Sequence, residues 1–371
     1  MERKALSVAA WVVAAGIALL FLSAMREAPP PDFMPFYLGG KLARSGQIGE
    51  LYHKPAYQPL IAELRSTGER MNPIDAHYFI RPAFQAFLYA PFTYFPYRTA
   101  LALHVLGNLG LLGALVWKLP QWFALPASLR PWMLCFLPFL WSIGIGQDTL
   151  LLTLLAAGAL RLAARGREIP AGILIGLCAY KPHLMWAMPL AALAAGKRRM
   201  FASSAITGGV LAAVSFLAVG PAGVRQWLNL LEAPSTDFLP HIMGNARALG
   251  LNLGAAAGVA SVAGALACLA VVLRWGSFGE KFSAAVLACL LLSPHTYWQD
   301  YSLAAIVAGL DGRRWFQYLV LLPWPYFYPR KDMLPWILIA MVYLAALAWR
   351  AARSRTQPAL AGTLQCAPAS R

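Results

Sequence analysis

The sequence predicts an all-α polytopic membrane protein with about 12 spans, and three observations predict it. Hydrophobic residues make up 59% of the chain and charged residues only 12%, about half the charge of a soluble domain. The apolar residues come in long runs, the pattern of membrane helices and not of alternating strands. Lysine and arginine gather in short clusters between those runs, which marks cytoplasmic connections. The net charge of +16 does not point to nucleic acid, because no soluble domain carries the basic residues as a binding stripe.

Reading cytoplasmic ends from Lys and Arg alone places both termini inside. Span 1 runs from Ala5 to Met25, a retained span and not a cleaved signal. A long outer loop with interfacial helices, residues 26–97, follows. Span 2 is Thr99 to Trp117, span 3 Pro131 to Ile145, and span 4 Thr149 to Leu162. The apolar stretch Ile169 to Gly196 has basic clusters at both ends and is broken at Lys181-Pro182-His183. Both ends being cytoplasmic, the chain must enter and return there, and proline breaks the helix. Each half is short for a bilayer, and a turn at that depth is tolerated only inside protein or beside a wet cavity.

Span 7 is Met200 to Val219, and residues 220–253 form a second outer loop. Spans 8 to 12 are Ala255 to Leu273, Phe282 to Leu292, Tyr301 to Leu310, Trp315 to Trp324 and Leu334 to Trp349. Residues 1–350 are thus one membrane domain, and 351–371 a disordered cytoplasmic tail. Cys135, Cys178, Cys268 and Cys289 lie inside apolar runs and read as small core residues, with Cys366 in the tail.

This topology puts Asp32, Gln147, Asp148, Lys181, His183, His295 and Asp300 on the outer side, although the chain has only 15 acidic residues. Asp32 follows Pro29 to Pro31, a stiff segment that holds it at the membrane surface. It either caps an interfacial helix or serves as a general base. Lys181 either snorkels to the interface or pairs with an anion such as a lipid phosphate. His295 and Asp300, with Tyr297, Trp298 and Tyr301, read as an aromatic belt or as a phosphate- or sugar-binding turn. Asp148 beside Gln147 reads as the N-cap of span 4 or as a site residue. Arg81 and Asp75 are outer-loop charges, and Tyr52, Tyr57, Tyr78 and Tyr94 resemble sugar-stacking aromatics. No Walker loop, HExxH, paired-cysteine metal site or Asp-x-Asp pair is present in the sequence. A group donor would therefore have to come from the membrane. The rival reading is a lipid or solute transporter or flippase, which would place its ionisable groups near the midplane in paired repeats.

Several short motifs, taken in order, resemble a known family. They are Asp32-Phe33 with Tyr37 and Gly39, Leu51-Tyr52, Ala90-Pro91-Phe92, and Gly146-Gln147-Asp148. Lys181-Pro182 after Gly176, and Ser293-Pro294-His295 with Asp300-Tyr301, complete the set. Together they resemble glycosyltransferase family 87, the polyprenol-phosphate-mannose-dependent transferases of the GT-C fold. Asp148 stands where the family pattern commonly has Asn, and Arg81-Pro82 replaces a more aromatic-proline pattern. The resemblance implies an inverting transferase of the cell inner (plasma) membrane. It would move a sugar, mannose by expectation, from a polyprenyl-phosphate donor to a glycolipid or glycan hydroxyl on the outer face, among membrane lipids. It implies Asp32 as general base, with Lys181, His295, Gln147, Asp148, Asp300, Tyr37 and Arg81 binding substrate, and neither metal nor cofactor.

Overall fold

The computed structural model describes residues 2–25, 32–68, 78–123, 125–232, 240–327 and 332–356. Pro29 to Pro31, Asp75 and Cys366 lie outside them. Among the described residues the chain is helical with no strand. The first long helix, α1 (Glu2–Met25), is followed by short helical pieces of the outer loop. Three of these are α2 (Phe33–Arg44), α3 (Tyr57–Ser66) and α4 (Phe84–Tyr89), and a 3₁₀ turn runs from Ala90 to Tyr94. Then come α5 (Tyr97–Trp122), α6 (Arg130–Leu134), α7 (Leu137–Gly144), α8 (Thr149–Ala164), α9 (Glu168–Leu177), α10 (Ala187–Ala194) and α11 (Arg198–Glu232). The C-terminal part is α12 (Ala246–Leu253), α13 (Ala255–Trp275), α14 (Phe278–Leu292), α15 (Ala304–Leu310), α16 (Arg314–Leu321) and α17 (Leu334–Thr356).

Five of these helices are long and apolar enough to cross a membrane, over Ser7–Ala24, Tyr97–Trp122, Arg198–Leu231, Ala255–Trp275 and Leu334–Arg355. Leu20, Leu106, Ile206, Leu217, Val259 and Val342 stand exposed on them, an apolar surface too extensive for water. The remaining expected spans are short or broken. Span 3 is split into α6 and α7 around an extended Phe136, with Pro138 in the first turn of α7. Two expectations are corrected. The segment 220–253 is not mainly loop: α11 continues to Glu232 beyond a kink at Gly220 (φ 67°) and Pro221, and α12 follows. The tail expected from residue 351 begins as helix, because α17 extends to Thr356.

The reversal expected at Lys181-Pro182 is present. Two 3₁₀ turns, Cys178–Tyr180 and Pro182–Leu184, separate α9 from α10. The far ends of the hairpin meet, with Lys197 Nζ 3.7 Å from Glu168 Oε1. The same end of the bundle holds Lys281 Nζ, which donates to Ala194 O (2.8 Å), and Arg350, 3.4 Å from Glu280. A capping box, Ser277 with Glu280, opens α14 there. Lys181 lies at the opposite end of α9, so basic connections and hairpin apex are separated by the length of that helix.

Two cores result. The larger joins α1 to the helices from α5 to α17. The smaller belongs to the first loop and is aromatic, built on Phe33, Phe36, Tyr37, Phe79, Tyr89 and Tyr97, and reaching α11 at Val219. Phe36 stacks on Tyr89 with ring centroids 4.8 Å apart. This small core fixes the joint between α1 and α2, where Asp32 sits.

Candidate active site

Asp32 occupies the N-cap position of α2 but makes no side-chain cap bond. Its backbone N–H donates to Ile145 O at 3.0 Å, which ties the joint to the turn between α7 and α8. That turn needs Gly146 at φ 75°, a left-handed conformation open to glycine. The next residue, Gln147, donates from Nε2 to Asp32 Oδ2 at 2.8 Å. Arg81 in turn donates to Gln147 Oε1 at 2.8 Å and to Tyr180 O at 3.3 Å. Arg81 also lies 3.7 Å from Asp148 Oδ1. A line of polar groups therefore runs from Asp148 through Arg81 and Gln147 to Asp32. Asp32 is half-buried, while Arg81, Gln147 and Asp148 are buried.

Asp148 does not cap α8 through its side chain. Its carboxylate accepts from Gln85 and lies 3.5 Å from the Tyr89 hydroxyl. Its carbonyl accepts from Tyr180 at 3.1 Å. On the other side of Asp148, Thr149 Oγ1 accepts from Lys181 Nζ at 2.7 Å, and Lys181 pairs with Asp300 Oδ1 at 2.9 Å. Lys181 is 2% exposed and Asp300 1%, so this pair is removed from solvent. Asp300 Oδ2 accepts the Tyr297 N–H at 3.0 Å, within the 3₁₀ helix Trp298–Leu303. His295 rests 4.8 Å from the Tyr297 ring and 6.3 Å from the His183 ring. The turn is anchored from below by Asn245, which donates to Ser293 O at 3.0 Å.

Of the residues expected from sequence, Asp32, Arg81, Gln147, Asp148, Lys181, Asp300 and His295 come together in this region. Tyr37 does not join them: its hydroxyl donates to Phe95 O at 2.9 Å inside the aromatic core. The expected sugar-stacking tyrosines are mostly scaffold as well. Tyr52 donates to Arg81 O (2.7 Å) and Tyr57 to Leu51 O (2.6 Å). Burial pushes both phenols well above their ordinary pKa. Tyr94 is exposed, under the Arg44 guanidinium. Residues not anticipated are Gln85, Tyr89, Tyr180 and His104. His104 Nε2 lies 3.1 Å from Gly146 O and 2.9 Å from Asn108. His104 and Asn108 are buried polar groups four residues apart on an apolar helix, and that spacing was the signal available for them.

An apolar groove opens beside the cluster, between the Arg81-Pro82 segment, the Lys181-Pro182 turn and α11. Its cavity volume is ≈ 200 Å³, and it is lined by Tyr52, Pro82, Ala179, Pro182, Phe216 and Trp227 among others. Trp227 Nε1 donates to Ile80 O at 2.9 Å, which fixes one wall.

Compared with known families, residues 79–294 match glycosyltransferase family 87, more than half of the 371 residues. The chain belongs to glycosyltransferase family 87. No curated protein and no solved structure matches it. As a family 87 member it is a glycosyltransferase, and its substrates are a sugar donor and an acceptor. The matched stretch contains Arg81, Gln147, Asp148 and Lys181. Asp32 and Tyr37 lie before it, and His295 and Asp300 just after it. Hydrogen bonds to Gln147 and Lys181 attach Asp32 and Asp300 to the matched part.

Proposed function

We propose that this family 87 enzyme is an inverting transferase with Asp32 as its general base. It moves a sugar, mannose by family resemblance, from a polyprenyl-phosphate donor to a hydroxyl of a glycolipid or glycan. The observation that carries the reading is the Asp32 carboxylate, which leaves its capping role unfilled and is aimed by Gln147. A carboxylate so held is suited to take the acceptor proton as that oxygen attacks the anomeric carbon opposite the phosphate. The leaving phosphate needs cations, not an acid. Arg81, one glutamine away from Asp32, is the nearest of them. Lys181 and His295 follow, although Lys181 would first have to loosen its pair with Asp300. The groove ending at Pro82 and Pro182 is suited to the polyprenyl chain.

In this reading the chain has the GT-C architecture with about 12 membrane passages, several of them by helices shorter than a bilayer. It lies in the cell membrane with both termini cytoplasmic, and Asp32, Lys181 and His295 open to the outer side. Residues 1–350 form one domain.

Asp32→Asn tests the assignment in proteoliposomes supplied with polyprenyl-phosphate mannose and membrane glycolipid acceptors. Transfer should fall by about 10²- to 10⁴-fold, with donor retention unchanged. Retained turnover removes Asp32 as the base. Donor lipid crossing the vesicle membrane with no sugar transferred overturns the transferase reading altogether.

A further inference from the structure

At the end of the bundle away from Asp32, two glycine turns lie side by side. Gly166 joins α8 to α9 and Gly196 joins α10 to α11, both at φ 74°. Lys197 bridges them, 3.7 Å from Glu168 Oε1 and 3.5 Å from Ala163 O. Between the turns is an open polar cleft of ≈ 500 Å³, lined by Arg167, Arg198 and Arg199 with Glu168 and the two glycines. The three arginines are exposed, and none has a carboxylate partner among the described residues.

This placement breaks a local rule. A helix N-terminus carries partial positive charge and favours an anion. Yet α11 begins with Arg198 and Arg199, and Arg167 sits at the N-cap of α9. The one acidic residue of the first turn, Glu168, is taken by Lys197. Membrane topology asks only for positive charge on a connection, which any lysine supplies. It does not ask for three guanidinium groups around one cleft that two helices enter by their N-termini. Guanidinium groups match phosphate oxygens in bidentate pairs, and the unfilled volume gives such a group room.

We propose that this cleft binds a phosphate ester anion, the headgroup of an acidic membrane lipid being the natural source beside a membrane helix. Occupancy would tie the α8–α9 turn to the α10–α11 turn, and so close the base of the hairpin whose apex carries Lys181. The site is separate from the Asp32 cluster and stands whether or not Asp32 is the base.

The test uses the full chain in nanodiscs of phosphatidylcholine containing a minority of phosphatidylglycerol. Native mass spectrometry reads the lipid retained. Wild type is compared with Arg167→Gln/Arg198→Gln/Arg199→Gln and with a charge-matched control, Arg274→Gln/Arg314→Gln/Arg355→Gln, whose arginines are exposed elsewhere. Circular dichroism checks that both variants fold. Wild type and control should retain phosphatidylglycerol, and the cleft variant should bind it about tenfold or more weakly. Displacement by added inorganic phosphate would identify the free anion as sufficient, whereas lipid retained in its presence would identify the headgroup with its acyl chains. Equal retention by wild type and cleft variant overturns the site. Equal loss in both variants also overturns it, by showing that net charge and not the cleft holds the lipid.

Discussion

Lys181 and Asp300 form a nearly solvent-free ion pair 2.9 Å long. Such a pair gains little over an apolar filling, but either partner alone leaves a buried charge at a cost of about 3–5 kcal/mol. Lys181→Met and Asp300→Asn should therefore each lower the thermal midpoint sharply, and the double variant should recover most of the loss. Thermal unfolding of the four proteins in one detergent checks this; a double variant as unstable as the sum of the singles would refute the coupling. Gln147 has a different task. It joins Asp32 to Arg81 and sets where the proposed base points. Gln147→Leu should slow transfer by roughly 10²-fold, the scale of a small misplacement at a reacting group, and by less than Asp32→Asn does. Steady-state kinetics of the two variants side by side decide the order. Three carboxylates, Asp32, Asp148 and Asp300, face two side-chain cations, Arg81 and Lys181, in this region. The arginine is thus central: Arg81→Met would leave Gln147 and Asp148 both without their cation.

Helix α9 is held against α11 by small residues. At Gly172 a methyl group would collide with Met200 O and Ser203 Oγ, and at Gly176 with Thr207 and Ser204 O. These two glycines, four apart, let the backbones approach in the manner of close-packed membrane helices. Gly172→Val should cost about 1–3 kcal/mol by overpacking, read as a lower midpoint, whereas Gly209→Val, which meets nothing, should leave it unchanged. The hairpin these helices build was legible in advance. Basic clusters at both ends of one apolar stretch, with Lys181-Pro182 between them, allow no other path. The kink at Gly220 was legible only as an interruption, because Gly-Pro ends an apolar pattern equally well by breaking a helix or by bending it. Asp32 and Asp148 were each legible as helix caps or site residues, and local sequence cannot choose between those. Neither side chain caps its helix: Asp32 meets Gln147, and Asp148 meets Gln85 and Arg81, partners far from each in sequence. For the same reason the hydroxyl bonds of Tyr37 and Tyr52 to Phe95 O and Arg81 O were not legible, since a tyrosine that donates to a distant carbonyl and one that stacks on a sugar have the same sequence.

Across the whole molecule, the proposed orientation makes a labelling prediction. In a background without native cysteines, Tyr94→Cys should react with a membrane-impermeant maleimide in intact cells, and Arg165→Cys only after permeabilisation. Both positions are exposed, so reversed labelling would overturn the orientation and with it the outward-facing site. The short helices around the polar cluster have a further consequence. At about 1.5 Å per residue, α9 with its 10 residues and α10 with its 8 reach roughly half the ~30 Å of a hydrocarbon core. A lipid layer meeting such short elements thins or admits water. In the proposed reading, the phosphate of a polyprenyl-phosphate donor would then meet solvent and an acceptor at its own depth. Raising the lipid instead would expose its tail at about 0.8 kcal/mol for each CH₂ drawn into water. Short helices let the water descend, so that the lipid need not climb.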